Sequence, residues 1–238
     1  MVGFPPPLDK RITLENWDRP PFNRWSFQNI REVLPTAKVA KGPGPTWEIP
    51  RAEQDFDDLE VRHPRNGRLG HVRDVLEQTY TDGFILIHDN RIVYERYFND
   101  MGAHTLHLSQ SVAKSVTATV CGILIHRGLI DRDAPLKELI PELDTCGYAD
   151  ATLRQVLDMR SGVRFGETYT DPDSDIAMVD YAAGWKPHRA GKPEAVLDIP
   201  LVLEQEREHG GFFQYRSIET DVMAWVMQRV TNKGIAEL

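Results

Sequence analysis

The stretch from Leu108 to Gly128, L-S-Q-S-V-A-K-S-V-T-A-T-V-C-G-I-L-I-H-R-G, constrains this chain more than any other. Val112, Ala113, Val116, Ala118, Val120, Ile123, Leu124 and Ile125 suit one long, apolar helix starting near Ser111, and it is expected to be buried. Ala113, Ser115, Ala118 and Gly122 are small enough for neighbouring backbones to come close. Lys114 is out of place in this run, because burial penalises a cation and the first turn of a helix repels one. Residues three apart share a helix face, so the Ser111 hydroxyl and the Lys114 amine are expected side by side. A serine becomes a nucleophile when a base takes its proton, and a desolvated lysine gives up its own proton more readily. Ser-x-x-Lys also arises by chance, so the pair acquires meaning only from its surroundings.

Upstream, residues 1 to 68 are rich in proline, with P-P-P at 5 to 7, Pro20-Pro21 and G-P-G-P at 42 to 45, which excludes long helices. Trp17, Phe22, Trp25, Phe27 and Trp47 are too many aromatics for a disordered tail, so this segment is expected to wrap a core built by the rest. Gly70 to Tyr80 has Val72, Val75, Leu76 and Tyr80 at helical spacing, and Thr81-Asp82-Gly83 closes that helix. Phe84 to His88 and Ile92 to Phe98 flank Asp89-Asn90-Arg91 and predict a β-hairpin. After Gly128 the pattern turns helical. Asp133 is the expected cap of a segment with Leu136, Leu139 and Ile140 on one face, Thr152 opens a helix that stops at Ser161-Gly162, and a short helix ends at Gly184.

A formal net charge of −8 and the lack of any dense Lys/Arg run exclude a nucleic-acid surface and favour a small-molecule partner. The two cysteines, Cys121 and Cys146, do not make a disulfide framework. Asp171, Asp173 and Asp175 imitate the start of a calcium loop, but Ile176 stands where that loop needs glycine and Ala182 where it needs glutamate. The histidines form no metal-binding spacing, so neither a metal nor another cofactor is expected. No membrane span occurs, and the first residues lack the apolar stretch of a secretory signal, which reads as a cytoplasmic protein.

The second chemical signal is F-F-Q-Y-R-S-I-E-T-D-V-M-A-W-V-M-Q-R-V, residues 212 to 230. Ser217 suits the cap of a helix whose apolar face is Ile218, Val222, Trp225, Val226 and Val230. Tyr215 then lies on the loop just before the helix, where a nearby cation such as Lys114 would favour its phenolate and let it carry a proton.

Ser111-Val112-Ala113-Lys114 followed well downstream by Tyr215-Arg216-Ser217, with helices between, resembles the serine β-lactamase and penicillin-binding-protein superfamily. Within it, the pattern is most similar to class C β-lactamases, the related esterases and the 6-aminohexanoate-dimer hydrolases. The resemblance runs from about Gly83 to the last residue and includes T-L-R-Q-V-L-D-M-R-S-G-V, like the family's helix ending in Ser-Gly. It implies that Ser111 is acylated, that Lys114 assists proton removal and that Tyr215 passes the proton to the leaving group. Ser217 fills the third position of the tyrosine motif, as in the esterase and amide-hydrolase branches. The loop with Tyr169 resembles the segment that borders the cleft in the oligomer-hydrolase branch.

The implied fold is α/β: a sheet domain over residues 1–128, including the nucleophile helix, and an inserted helical domain over 129–238. The family's third motif, a short K-T-G, H-x-G or W-x-G on a strand, is not found after Tyr215. The chain is therefore expected to be the N-terminal portion of a longer protein, without the C-terminal strands and closing helix. The implied function is hydrolysis of a linear amide or ester through an acyl-enzyme on Ser111; a β-lactamase or D-Ala peptidase and a non-catalytic binding relative are the alternatives. The segment 167 to 181 holds Glu167, Asp171, Asp173, Asp175 and Asp180 without a lysine or arginine. Read as a solvated surface it needs no function. Read as a cleft border, it has Asp180 attract a cationic amino group while Tyr169 closes over the substrate.

Overall fold

The chain folds into two contact units, one of Met1–Val33 with Ala40–Leu108 and one of Leu34–Val39 with Ser109–Leu238. A computed structural model of the protein describes residues 3–39, 42–63 and 65–238; Met1 and Val2, where the expected N-terminal segment begins, lie outside the described residues. The line between the units falls before the Ser111 helix, whereas the expected boundary lies at 128/129. Cys121 and Leu124 of that helix enter the core of the second unit, which is why it groups there.

The first unit contains α1 (Asn23–Ser26), β1 (Glu60–Arg62), β2 (Leu69–His71), α2 (Val72–Gln78), β3 (Gly83–His88) and β4 (Arg91–Tyr97). The hairpin forms as expected, with β3 antiparallel to β4 and Gly83 opposite Tyr97. Asp89 and Asn90 both have φ above zero, at 49° and 56°. That conformation matches the right-handed twist of the strands it joins, and Asn and Asp tolerate it best after glycine. Arg91 belongs to β4 rather than to the turn. The chain from Pro50 to Gln54 covers the edge of β4, with Ala52 N donating to the Ile92 carbonyl at 2.8 Å and Ile92 N to the Pro50 carbonyl at 2.9 Å. Over Ile92 and Val93 the edge of β4 is thus paired within the chain rather than open to another.

Gly70 was expected in a helix but lies in β2, which pairs with β1; α2 begins only at Val72. Three-residue strands are too short for alternation to show in a sequence. Of the aromatics expected to wrap a core, Trp17 is 1% exposed and meets the Phe27 ring at 6.2 Å, while Trp47 remains 79% exposed. Asp82, expected only to close a helix, is buried and receives His107 Nε2 at 3.0 Å and Asn99 Nδ2 at 3.1 Å. Those bonds compensate the carboxylate for lost water.

The second unit comprises α3 (Val112–His126), α4 (Leu136–Leu139), α5 (Leu153–Leu157), α6 (Asp175–Ala182) and α7 (Ile218–Thr231). Helix α7 is its axis. Ile218, Val222 and Val226 are fully buried, but Met223 and Met227 join them, and Val230, expected on the apolar face, is exposed. Adjacent pairs repeating every four residues widen the buried stripe toward the methionines. Around it pack Leu136, Leu143, Tyr148, Leu153 and Phe165. Helix α5 has the expected cap: Thr152 accepts the Gln155 N–H while Gln155 reaches back to the Thr152 N–H. Asp133 is not a cap; Pro135 occupies that position and α4 is one turn long. The expectation of a wholly buried nucleophile helix also needs correction, since Val112 and Val116 are about two-thirds exposed.

Candidate active site

Ser111 stands at the N-cap position of α3, directly after Gln110, whose φ is +47°. A left-handed glutamine is unfavourable, and here it turns the incoming chain sharply into the helix. One turn on, Lys114 Nζ lies 3.3 Å from Ser111 Oγ, the juxtaposition that the spacing predicts. The Tyr215 hydroxyl donates to the same oxygen at 2.8 Å. Lys114 Nζ is also 5.5 Å from the centre of the Tyr215 ring. Lys114, one turn away, and Tyr215, 104 positions from Ser111, thus converge on one hydroxyl. Lys114 is half-buried rather than embedded in an apolar interior, because its side of α3 opens onto a cavity.

Tyr215 is held by the residues on either side of it. Gln214 N donates to the Met159 carbonyl at 2.9 Å. Arg216 is 1% exposed; its guanidinium binds the Gln214 carbonyl at 3.2 Å and Glu219 Oε1 at 3.5 Å, and Ser161 donates to that same Glu219 oxygen. A buried guanidinium is tolerable only with such a partner, so the ion pair fixes the backbone next to Tyr215 in one arrangement. Burial pushes the Glu219 carboxyl up, with Ser161 and Arg216 opposing it.

The electrostatics favour the phenolate form of Tyr215. Burial by itself would raise the Tyr215 pKa, but hydrogen bonding with Ser111, Lys114 and Ser217, together with the charge of Lys114, carries it below the usual tyrosine value. Burial pushes the Asp221 carboxyl up to about 6, against the pull of Lys114.

A cavity of about 380 Å³ opens beside these groups, lined by Ser111, Lys114, Tyr169, Asp180, Ser217 and Asp221. Ile176, Val179 and Trp185 supply an apolar wall. All the sequence-derived candidates therefore meet: Ser111, Lys114 and Tyr215 in direct contact, and Tyr169, Asp180 and Ser217 around the cavity. Ser217 takes the expected N-cap position of α7 without the expected side-chain cap bond. Its N–H instead donates to Glu167 Oε1, and Glu167 Oε2 lies 3.4 Å from its hydroxyl.

Glu167 and Asp221 have places at the site that sequence reasoning did not assign. Asp221 had a usable signal, since it stands four residues after Ser217 and shares its helix face. Glu167 had none, because its partner is set by how a loop folds back. Among the described residues, no group of three or more His, Cys, Asp or Glu side chains could hold a metal ion. Among those residues, too, no helix is long and apolar enough to cross a membrane.

Comparison with known proteins places the family of the chain. The beta-lactamase family profile matches residues 70–238. The 6-aminohexanoate-dimer hydrolase of Paenarthrobacter ureafaciens is 36% identical over 225 residues, covering 94% of this chain and 55% of that protein. A solved structure from Bacillus anthracis named "Putative 6-aminohexanoate-dimer hydrolase" is 28% identical and superposes with a TM-score of 0.84, over 97% of this chain and 61% of the other. The chain thus spans little more than half the length of the relatives it matches, and its fold over that span is theirs.

Proposed function

Since the chain belongs to the beta-lactamase family, we propose that it is a serine hydrolase cleaving a linear amide or carboxylic ester through an acyl-enzyme on Ser111. The observation that carries this reading is the convergence of Lys114 Nζ and the Tyr215 hydroxyl on one oxygen, Ser111 Oγ, at 3.3 and 2.8 Å. In the first half-reaction, Ser111 Oγ attacks the substrate carbonyl as its proton passes to Tyr215, with Lys114 favouring the phenolate. Tyr215 then hands that proton to the departing amine or alcohol, and the C–N or C–O bond breaks. In the second half-reaction, water attacks the serine ester, Tyr215 accepts its proton, and the acid leaves as Ser111 recovers a hydrogen. The backbone N–H of Ser111 contributes to stabilising the carbonyl oxygen as it gains charge.

The test is covalent. An acylating or phosphonylating probe is expected to label the protein at Ser111, and Ser111→Ala to abolish the labelling; persistent labelling elsewhere overturns the assignment. Turnover of a linear amide, a nitrophenyl ester and a chromogenic β-lactam then separates an amide or ester hydrolase from a penicillin-recognising enzyme, and a lack of any turnover marks a binding relative.

The cavity suggests which amide. Its wall carries Asp180 on α6 beside the apolar Ile176, Val179 and Trp185, a lining suited to an alkyl chain that ends in an ammonium group. Such a chain is what the name of the Paenarthrobacter relative describes. An exposed ion pair contributes at most about 1 kcal/mol, but a carboxylate in a partly dry cleft discriminates more strongly. Asp180→Asn is therefore expected to reduce turnover of an amino-terminated amide several-fold more than that of a neutral ester of the same length. Equal losses on both substrates would remove Asp180 from substrate recognition.

A further inference from the structure

The acidic segment that begins at Glu167 follows the buried Phe165 and is held by Gly166. The Gly166 N–H donates to Asp175 Oδ2 at 2.7 Å, and the Gly166 carbonyl accepts Ile176 N at 3.1 Å. The loop is thereby closed onto the start of α6, and the backbone of Glu167 is set. From that anchored position the carboxylate of the half-buried Glu167 reaches Ser217. One oxygen accepts the Ser217 N–H, and the other lies 3.4 Å from the Ser217 hydroxyl. Hydrogen bonding with Glu167 also raises the Tyr169 phenol, after burial of that group. Ser217 in turn is one of the groups whose hydrogen bonding lowers Tyr215. Glu167 therefore fixes Ser217, which stands two residues after Tyr215 in the chain, and the Tyr215 hydroxyl donates to the Ser111 oxygen at 2.8 Å.

We propose that Glu167 is a positioning residue of this site: its carboxylate fixes Ser217, and through Ser217 it holds the Tyr215 hydroxyl on the Ser111 oxygen. This rests on the hydrolase reading above. A carboxylate at a helix N-terminus is also an ordinary capping arrangement that satisfies an orphan N–H. The two roles differ in what depends on the Ser217 hydroxyl. A cap needs only the N–H, which Glu167→Gln still satisfies through its amide oxygen. A positioning role needs the charged oxygen beside the Ser217 hydroxyl, and misplacing a proton carrier by a fraction of an ångström slows proton transfer without changing substrate affinity.

The experiment is a double-mutant cycle on Ser111 acylation by a nitrophenyl ester, using wild type, Glu167→Gln, Ser217→Ala and the double variant. Glu167→Gln is expected to lower the acylation rate constant about tenfold with KM unchanged. In the Ser217→Ala background the same replacement is expected to have almost no effect, because the group it acts through is gone. Multiplying effects in the double variant, or a Glu167→Gln loss that appears in KM alone, overturn the proposal while leaving the hydrolase reading intact. A wild-type protein that is not acylated at Ser111 overturns both.

Discussion

Tyr215→Phe is expected to slow acylation of Ser111 by about 100-fold or more, the usual contribution of a positioned proton carrier. It is also expected to flatten the dependence of that step on pH. The phenolate is the form that accepts the serine proton, so acylation accelerates as pH rises through the Tyr215 pKa. Lys114, Ser111 and Ser217 hold that pKa below the usual value, overcoming the rise from burial, so the acceleration comes at a lower pH than an ordinary tyrosine, near 10 in ~neutral surroundings, would give. Lys114→Ala removes both a hydrogen bond to the phenolate and the nearby positive charge. The acceleration then moves to higher pH and the rate at neutral pH falls, while Tyr215→Phe shows no acceleration at all. Single-turnover measurements with a chromogenic ester, from neutral pH into the ordinary tyrosine range, distinguish the three proteins. An unchanged profile in Tyr215→Phe would transfer the proton-carrying role to another group.

A large effect on stability is expected at Gly162. Its φ is +73°, and a Cβ built there would lie 2.5 Å from the Arg207 carbonyl oxygen and 2.9 Å from that of Glu208. Both obstacles are backbone, fixed by the Glu206 and Arg207 N–H groups, which donate to the Gly162 carbonyl at 2.9 and 3.0 Å. Gly162→Ala should therefore cost about 3 kcal/mol or more, combining left-handed strain with an overpacked contact that cannot relax through a side chain. Gly128 provides the comparison: φ is +70° but no atom lies within 4 Å of the added Cβ. Gly128→Ala should cost only about 1 kcal/mol, the strain alone. Denaturant midpoints measure both. Equal losses in the two variants would mean that the loop at 204–208 yields to the added methyl. Because the neighbouring Ser161 donates to Glu219, a shifted Gly162 backbone would also loosen the buried ion pair next to Tyr215.

The hairpin, the Thr152 cap and the Ser111–Lys114 pair were all legible in the sequence. Each depends on residues within one turn or one loop of each other, where helix and hairpin geometry are fixed by the backbone. The convergence of Tyr215 on Ser111 was expected from the family resemblance, since local spacing says nothing about residues 104 positions apart. The β1–β2 pairing leaves no mark in the sequence because three residues hold too little pattern, and the buried face of α7 is wider than the expected apolar stripe because Met223 and Met227 join the core.

By itself, then, the sequence determined the helix that presents Ser111 and Lys114 on one side, the tyrosine poised ahead of a second helix, and the class of chemistry those groups support. Tertiary structure alone decided how strongly each is activated. Whether Lys114 is sealed or half-open depends on which neighbours cover α3, and whether Glu167 is a solvated loop charge or the partner of Ser217 depends on the turn that Gly166 makes against Asp175. Burial and partner distance set the energy of a charge, and both are properties of contacts between residues distant in the chain, which no local pattern encodes.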